Sequence, residues 1–238
     1  MNAFLRQMKE RVKKVSRKKK NDFFYSLANK ECHILDVGVY PEVARANKDI
    51  STNHFLKTFQ YPPQYYTGLS IDSLEGMDKI YPGMKFVQYN GGVFPFESKS
   101  FDWVYSNAVI EHVGDYKTKL KFVEEMVRVG KNVFFTTPNK YFPVDAHTMV
   151  FFIHWNDDRF WKWRQKNKKW LPKESLNLLS LSEIKQLLKD ANVKNYKIIK
   201  NRFFGMTMTF SVIVNGAAND QSKPSVEGQK KSEVLTPA

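Results

Sequence analysis

The chain has 238 residues, enough for one domain with a substantial core, and with 42% hydrophobic and 15% aromatic residues it is too apolar for a disordered segment. One cysteine, Cys32, excludes an intramolecular disulfide framework, and no apolar run reaches the roughly 18 residues of a membrane span. With no apolar signal core at the N-terminus, the expected location is cytoplasmic. The net charge of +14 calls for an anionic partner: a phosphate-bearing glycan or lipid intermediate, a membrane surface or nucleic acid.

Residues 1–20 carry Arg6, Lys9, Arg11, Lys13, Lys14, Arg17, Lys18, Lys19 and Lys20 against the single acid Glu10. Phe4, Leu5, Met8, Val12 and Val15 recur at helical spacing, which predicts a basic amphipathic helix with a connector to about residue 30. Two readings stand: the helix adheres to an anionic membrane surface, or it packs on its own domain with its charges solvated. Residues 31–216 are expected to form one α/β domain, and the polar stretch 217–238 a disordered tail.

Within that domain Ile34, Leu35 and Val37 form a short apolar run of the kind found in central parallel strands, ending at Asp36-Val37-Gly38. Residues 65–71 give a second strand ending at Asp72, an acid that serves either a ligand or the N-cap of a helix over 74–80. A third strand over 84–89 runs into Asn90-Gly91-Gly92, which by itself is a common turn. The fourth strand, 101–105, delivers Ser106, Asn107 and Ala108 at its lip, with a structural hydrogen bond expected from Asp102. Glu111 and His112 are neighbours in sequence and are expected to point to different faces, not into one small site.

A helix over 116–129 with Gly130 as its C-cap leads to a fifth strand, 131–137. Residues 139–178 follow that strand. His147 and His154 are seven apart, on one face if that segment is helical, and a neutral histidine is the natural acceptor for a hydroxyl proton. Both are candidate catalytic residues, with Asp145 as an orienting partner; the alternative is that both only pack. The patch over 161–173 interleaves Trp161, Trp163 and Trp170 with cations, giving either a lid helix lodged on the core or a platform for anionic groups. Ser180 and Glu183 form a capping box, and two strands joined near Gly205 close the chain.

Taken in order, Asp36-Val37-Gly38, Asn90-Gly91-Gly92, Pro95-Phe96, Ser100-Phe101-Asp102, Glu111-His112-Val113 and the run TTPNKYFPVDAHTMVFFIHW over 136–155 resemble a class I S-adenosylmethionine (SAM)-dependent methyltransferase of the type-11 kind. Gly38 is followed by Val39-Tyr40-Pro41 instead of further glycines, so the branch is glycine-poor in its first motif. The resemblance implies a Rossmann-like sheet, mostly parallel with an antiparallel C-terminal strand and helices on both faces, a substrate-side lid over about 139–178 and, in this branch, Ser51 or Asn53 as the cap of the first core helix. It also implies SAM as cofactor. Asp36 and Gly38 would meet its methionine part, Asp72 its ribose, Asn90 and Gly91 its adenine, with Val93 or Phe94 packing on the base and Asn107 facing the sulfonium. Methyl transfer to oxygen of a small, glycan-linked or lipid-linked acceptor follows, with no metal needed. The rivals are an RNA methyltransferase or RNA-binding protein, for which no Asn/Asp-Pro-Pro-aromatic motif follows strand four, and an inert scaffold that kept the fold.

Overall fold

The computed structural model describes residues 3–42, 53–168 and 175–216. Ser51, Trp170 and the segment 217–238 lie outside the described residues, as do the side chains of Phe4, Leu5, Met8 and Val12. Helix α1 (Ala3–Leu27) precedes β1 (Ile34–Val37), α2 (His54–Lys57), β2 (Tyr66–Ser70), α3 (Met77–Ile80), β3 (Lys85–Gln88) and β4 (Phe101–Asn107). There follow α4 (Tyr116–Val129), β5 (Gly130–Pro138), α5 (Asp157–Asn167), α6 (Leu181–Asp190), β6 (Tyr196–Phe203) and β7 (Met206–Asn215). The seven strands form one sheet in the order β3-β2-β1-β4-β5-β7-β6, parallel from β3 to β5 and with β7 antiparallel to both its neighbours. This is the Rossmann-like sheet expected from the sequence.

The order reverses between β1 and β4, so their carboxyl ends diverge and leave a crevice, the usual ligand position in an open α/β sheet. β1 is buried at all four positions, which is why it reads as a continuous apolar run instead of an alternation. One face of the sheet carries an aliphatic cluster in which Met126 and Val129 of α4 and Ile184, Leu187 and Leu188 of α6 pack on Val104, Val133 and Val212. Those helices have the spacing of amphipathic segments, and the Ser180–Glu183 capping box closes both ways, Ser180 N–H to Glu183 Oε2 at 2.7 Å and Glu183 N–H to Ser180 Oγ at 3.3 Å. Gly130 caps α4 in extended geometry (φ −98°), so its glycine is needed for a different reason: an added Cβ would lie 2.6 Å from Val104 Cγ2.

The opposite face is aromatic. Phe24, at 0% exposure near the end of α1, meets Trp103, Tyr105 and Phe134 with ring centroids 5.1–5.5 Å apart. Asn21, one turn earlier, accepts a hydrogen bond from the Tyr105 hydroxyl at 2.8 Å and donates to Thr58 Oγ1 at 3.2 Å. The basic helix and the expected connector are thus one helix, and its last two turns are part of the core. Asn53 precedes α2 but does not cap it with its side chain; it instead grips Tyr40, accepting from its N–H at 2.8 Å and donating to its carbonyl at 2.7 Å. Asp102 accepts from His33 N–H and pairs with Lys131 at 2.8 Å, the structural role expected of it.

Candidate active site

A cavity of about 970 Å³ opens at the carboxyl ends of β1, β4 and β5. Asp36, Gly38, Asn107 and His147 all line it, brought together from the ends of β1 and β4 and from the cover after β5. Gly38 stands at φ +94°, and an added Cβ would lie 2.4 Å from Val109 Cγ2, so only glycine lets the lips of β1 and β4 approach this closely. Its N–H is bonded to Leu69 O at 2.9 Å. Asp36 is buried, and burial pushes its carboxyl up to about 7, partly offset by the Tyr66 hydroxyl donating to it at 2.7 Å. Asn107 Oδ1 accepts from Thr136 Oγ1 at 2.7 Å and from Lys20 Nζ at 2.9 Å. Next to it Ala108 takes the left-handed region at φ 58°, held by its N–H to Thr136 O. Strain of this kind collects at functional strand ends.

Lys20 was not among the residues expected at the site. It reaches the cavity from α1, and burial, with Arg17 nearby, lowers its ammonium to about 8, against an opposing pull from Glu111. In the sequence it is one of nine cations in twenty residues. The only mark that sets it apart is its helical register with Phe24 and Ala28, the buried stripe of α1.

The cover over 139–155 is not a helix. Asp145 accepts from Thr148 N–H and hydroxyl, and Met149 N–H closes the turn on Asp145 O at 2.8 Å. Seven-residue spacing therefore does not put the two histidines on one face. His147 lines the cavity with its Nδ1 3.1 Å from Asp145 Oδ1, the orienting contact expected. Asp145 is buried, which works against its charge, but hydrogen bonds from His147 and Thr148 hold its carboxyl well below the usual range. His154 points away, 1% exposed, with Nε2 2.8 Å from Phe142 O and its ring against Phe160. It is a packing residue, and the expectation of a catalytic His154 fails on that geometry. The patch 161–173 behaves likewise where described: Trp163 and Phe160 pack with Val150, Leu176 and Leu178, and Arg164 donates to Leu176 O.

Glu111 and His112 point to different sides, as expected: Glu111 is buried, and His112 is exposed and lines the cavity. One ligand-type atom of each still lies within 4.8 Å of the other and of His147.

The remaining expected residues sit on the β2–β3 side of the edge. A shallower cavity of about 600 Å³ is lined by Ile71, Gln88, Tyr89, Asn90, Val93 and Pro95. Ile71 and Val93 expose 61% and 59% of their surface there. Phe94, at 1%, is core instead, its N–H on Glu125 Oε2 at 2.9 Å, so Val93 alone of that pair is available to a ligand. Asn90 Oδ1 accepts from Gly92 N–H at 3.1 Å and Gly91 takes φ 85°, the turn geometry that this pair commonly makes. Asp72 is exposed and lines neither cavity; its N–H donates to Ser70 Oγ at 3.1 Å, and α3 is preceded by Gly76, so Asp72 is not a cap.

The methyltransferase-domain family matches residues 6–198. The chain belongs to that family. It is a class I SAM-dependent methyltransferase, and S-adenosyl-L-methionine is its cofactor. Its fold is similar to a SAM-dependent methyltransferase of Methanosarcina mazei, with 16% identity, a TM-score of 0.50, and 81% of this chain and 94% of that one covered. A SAM-dependent methyltransferase from Aquifex aeolicus gives 13% identity and a TM-score of 0.50 over 82% and 88%. Curated protein sequences give no match. The methyltransferase's own residues fit the cofactor: exposed apolar Ile71 and Val93 beside the Asn90 amide suit a flat heteroaromatic base. Asp36 offers a buried acid to an ammonium group, and Gly38 keeps the lip bare.

Proposed function

We propose that this methyltransferase transfers the methyl group to a hydroxyl oxygen of a glycan-linked or lipid-linked acceptor seated in the large cavity. The observation that carries the reading is the convergence of Asp36, Gly38, Asn107 and the Asp145–His147 pair on one cavity wall. SAM supplies an electrophilic methyl on a sulfonium that leaves as a neutral thioether. When SAM is bound, Ile71, Val93 and Asn90 would hold its adenine and Asp36 would accept from its α-ammonium. Asn107 and Ala108 would flank the reacting methyl. His147, its Nδ1–H turned to Asp145, presents Nε2 as acceptor for the hydroxyl proton, a contribution typically worth 10²–10⁴ in rate. Phe142, Val144, Met149 and Phe151 line the acceptor end and exclude water from it.

The acceptor class is supported by exposed aromatic side chains next in sequence to the cavity-lining Phe142, Phe151 and Phe203. Tyr141, Phe151, Phe152 and Trp155 expose between 41% and 61% of their surface, and Phe204 at the β6–β7 turn exposes 86%. Such an aromatic rim beside a basic N-terminal helix suits a lipid headgroup region on the cytoplasmic side of an anionic membrane. No described helix is long and apolar enough to cross a membrane, so attachment would be peripheral. The test is incubation with methyl-tritiated SAM and either a lipid-linked glycan extract or bulk RNA. Alkali-stable label in the organic-extractable fraction is the expected outcome. Label confined to RNA, or released by alkali as methanol, would overturn the reading.

A further inference from the structure

We propose that Glu111, His112 and His147 bind one divalent first-row transition-metal ion at the acceptor end of the cavity. This deepens the reading above and rests on it for the identity of the cavity. Among the described residues these three form the one group of carboxylate and imidazole side chains whose ligand-type atoms lie within 4.8 Å of each other. His112 and His147 both line the cavity, so an ion held there would keep a position open to it.

The orientation of each side chain supports a ligand role. His112 Nδ1 lies 2.6 Å from Ser175 O, and His147 Nδ1 lies 3.1 Å from Asp145 Oδ1. In each ring a carbonyl or carboxylate acceptor fixes the proton on Nδ1 and leaves Nε2 as the basic nitrogen. An acceptor on the ring nitrogen that does not face the ion accompanies metal-bound histidines in general. His147 Nε2 faces Glu111 Oε1 at 3.9 Å.

Glu111 supplies the second, independent observation. It is 0% exposed, and Oε2 accepts from Thr137 Oγ1 at 3.0 Å, but Oε1 has no hydrogen-bond partner. A buried carboxyl oxygen with nothing to accept from is uncommon and asks for a ligand. The two lysines whose charge reaches Glu111 are committed elsewhere: Lys20 Nζ to Asn107 and Thr136, Lys119 Nζ to Asn177 O. Ligand atoms about 2.1 Å from a shared ion sit roughly 3.4 Å apart, so binding needs a contraction of about an ångström, within reach of χ rotations in the cover loop. Two imidazoles and one carboxylate favour Zn²⁺, Co²⁺, Fe²⁺ or Mn²⁺ over Mg²⁺ or Ca²⁺.

An acceptor hydroxyl at the open position would be acidified by the ion. Its proton then leaves to solvent, the oxygen lone pair forms the new C–O bond, and the breaking C–S pair stays on sulfur. His147 is then a ligand, and it takes the proton itself only when no ion is bound.

The test is titration of the full, untagged, chelator-treated chain with Co²⁺, followed by absorption of the visible d–d band and displacement by Zn²⁺. Expected are one Co²⁺ per chain and at least about a tenfold weakening in Glu111→Gln and in His112→Ala, the latter exposed and so sparing the core. No stoichiometric binding by the wild type, or both variants binding like it, would overturn the proposal. S-adenosylhomocysteine calorimetry on the same samples separates the failures: cofactor-product binding without metal binding sinks only the metal site, and loss of both sinks the functional reading as well.

Discussion

The two halves of the sheet's carboxyl edge are built to different rules. On the β2–β3 side, Ile71 and Val93 are exposed, Asn90 is spent on its own turn, and Asp72 stands in solvent. On the β1–β4–β5 side the polar groups are wired across the fold to buried partners: Asp36 to Tyr66, Asn107 to Thr136 and Lys20, His147 to Asp145. Flat apolar contact suffices to hold a base. Chemistry on a hydroxyl needs groups whose protonation and direction are set by neighbours, and neighbours require burial.

If the deep half depends on α1, then breaking the seat of α1 should have the largest effect. Phe24→Ala should cost about 3–5 kcal/mol in denaturant unfolding, since it empties a ring site at 0% exposure among four aromatic neighbours. A loss under about 1 kcal/mol would mean that the helix rests on the domain without being part of it.

His147→Ala should next lower kcat by about 10²–10⁴ while leaving the affinity for S-adenosylhomocysteine unchanged. A variant with full turnover on an identified acceptor would remove His147 from the reaction.

Asp36 sharpens the contrast through pH. Its folded-state value of about 7 lies above the ordinary 3.8, so its protonated form contributes stability that is complete below about 3.8 and lost as pH rises through about 7. Asp36→Asn should therefore gain thermal stability relative to wild type between pH 5 and pH 8. In the wild type, S-adenosylhomocysteine should bind more tightly as pH rises towards about 7, by up to roughly tenfold per unit, because the carboxylate is the form that holds an ammonium. Asp36→Asn should flatten that dependence; a wild-type affinity independent of pH would place the ammonium elsewhere.

The smallest effects belong to the shallow half. Ile71→Ala should weaken S-adenosylhomocysteine by roughly tenfold, the worth of about 1.4 kcal/mol of lost apolar contact, and Asp72→Ala by no more than about threefold. If calorimetry reverses that order, the ribose is held by Asp72 after all, and the shallow half is polar in function if not in appearance.

The sheet was legible from local pattern. β1, β4 and β5 announce themselves as apolar runs, and α6 by a capping box that needs only four residues to specify. The register of motif residues with strand ends was legible as well, because a parallel strand delivers its last residues to one edge whatever the rest of the fold does. Asp36, Gly38 and Asn107 line the cavity for that reason, and His147 reaches it from the cover loop. His154 was misplaced because seven-residue spacing has meaning only in a helix, and the segment after β5 turns on Asp145 instead. Glu111 and His112 do point apart, but that a third residue, His147, comes within reach of both is a fact of the fold and not of their spacing. Lys20 was hidden among like charges.

The sequence by itself determined the strand order's raw material, the glycine at the first lip and the identity of the family, since these depend on residue type and short-range periodicity. Which distant polar groups share an environment was set by packing: α1 sends Lys20 and Asn21 into the domain, and His147 meets Glu111 and His112. Those meetings join residues 33 to 116 positions apart, and burial and hydrogen-bond geometry across such separations are fixed by packing, not by spacing along the chain.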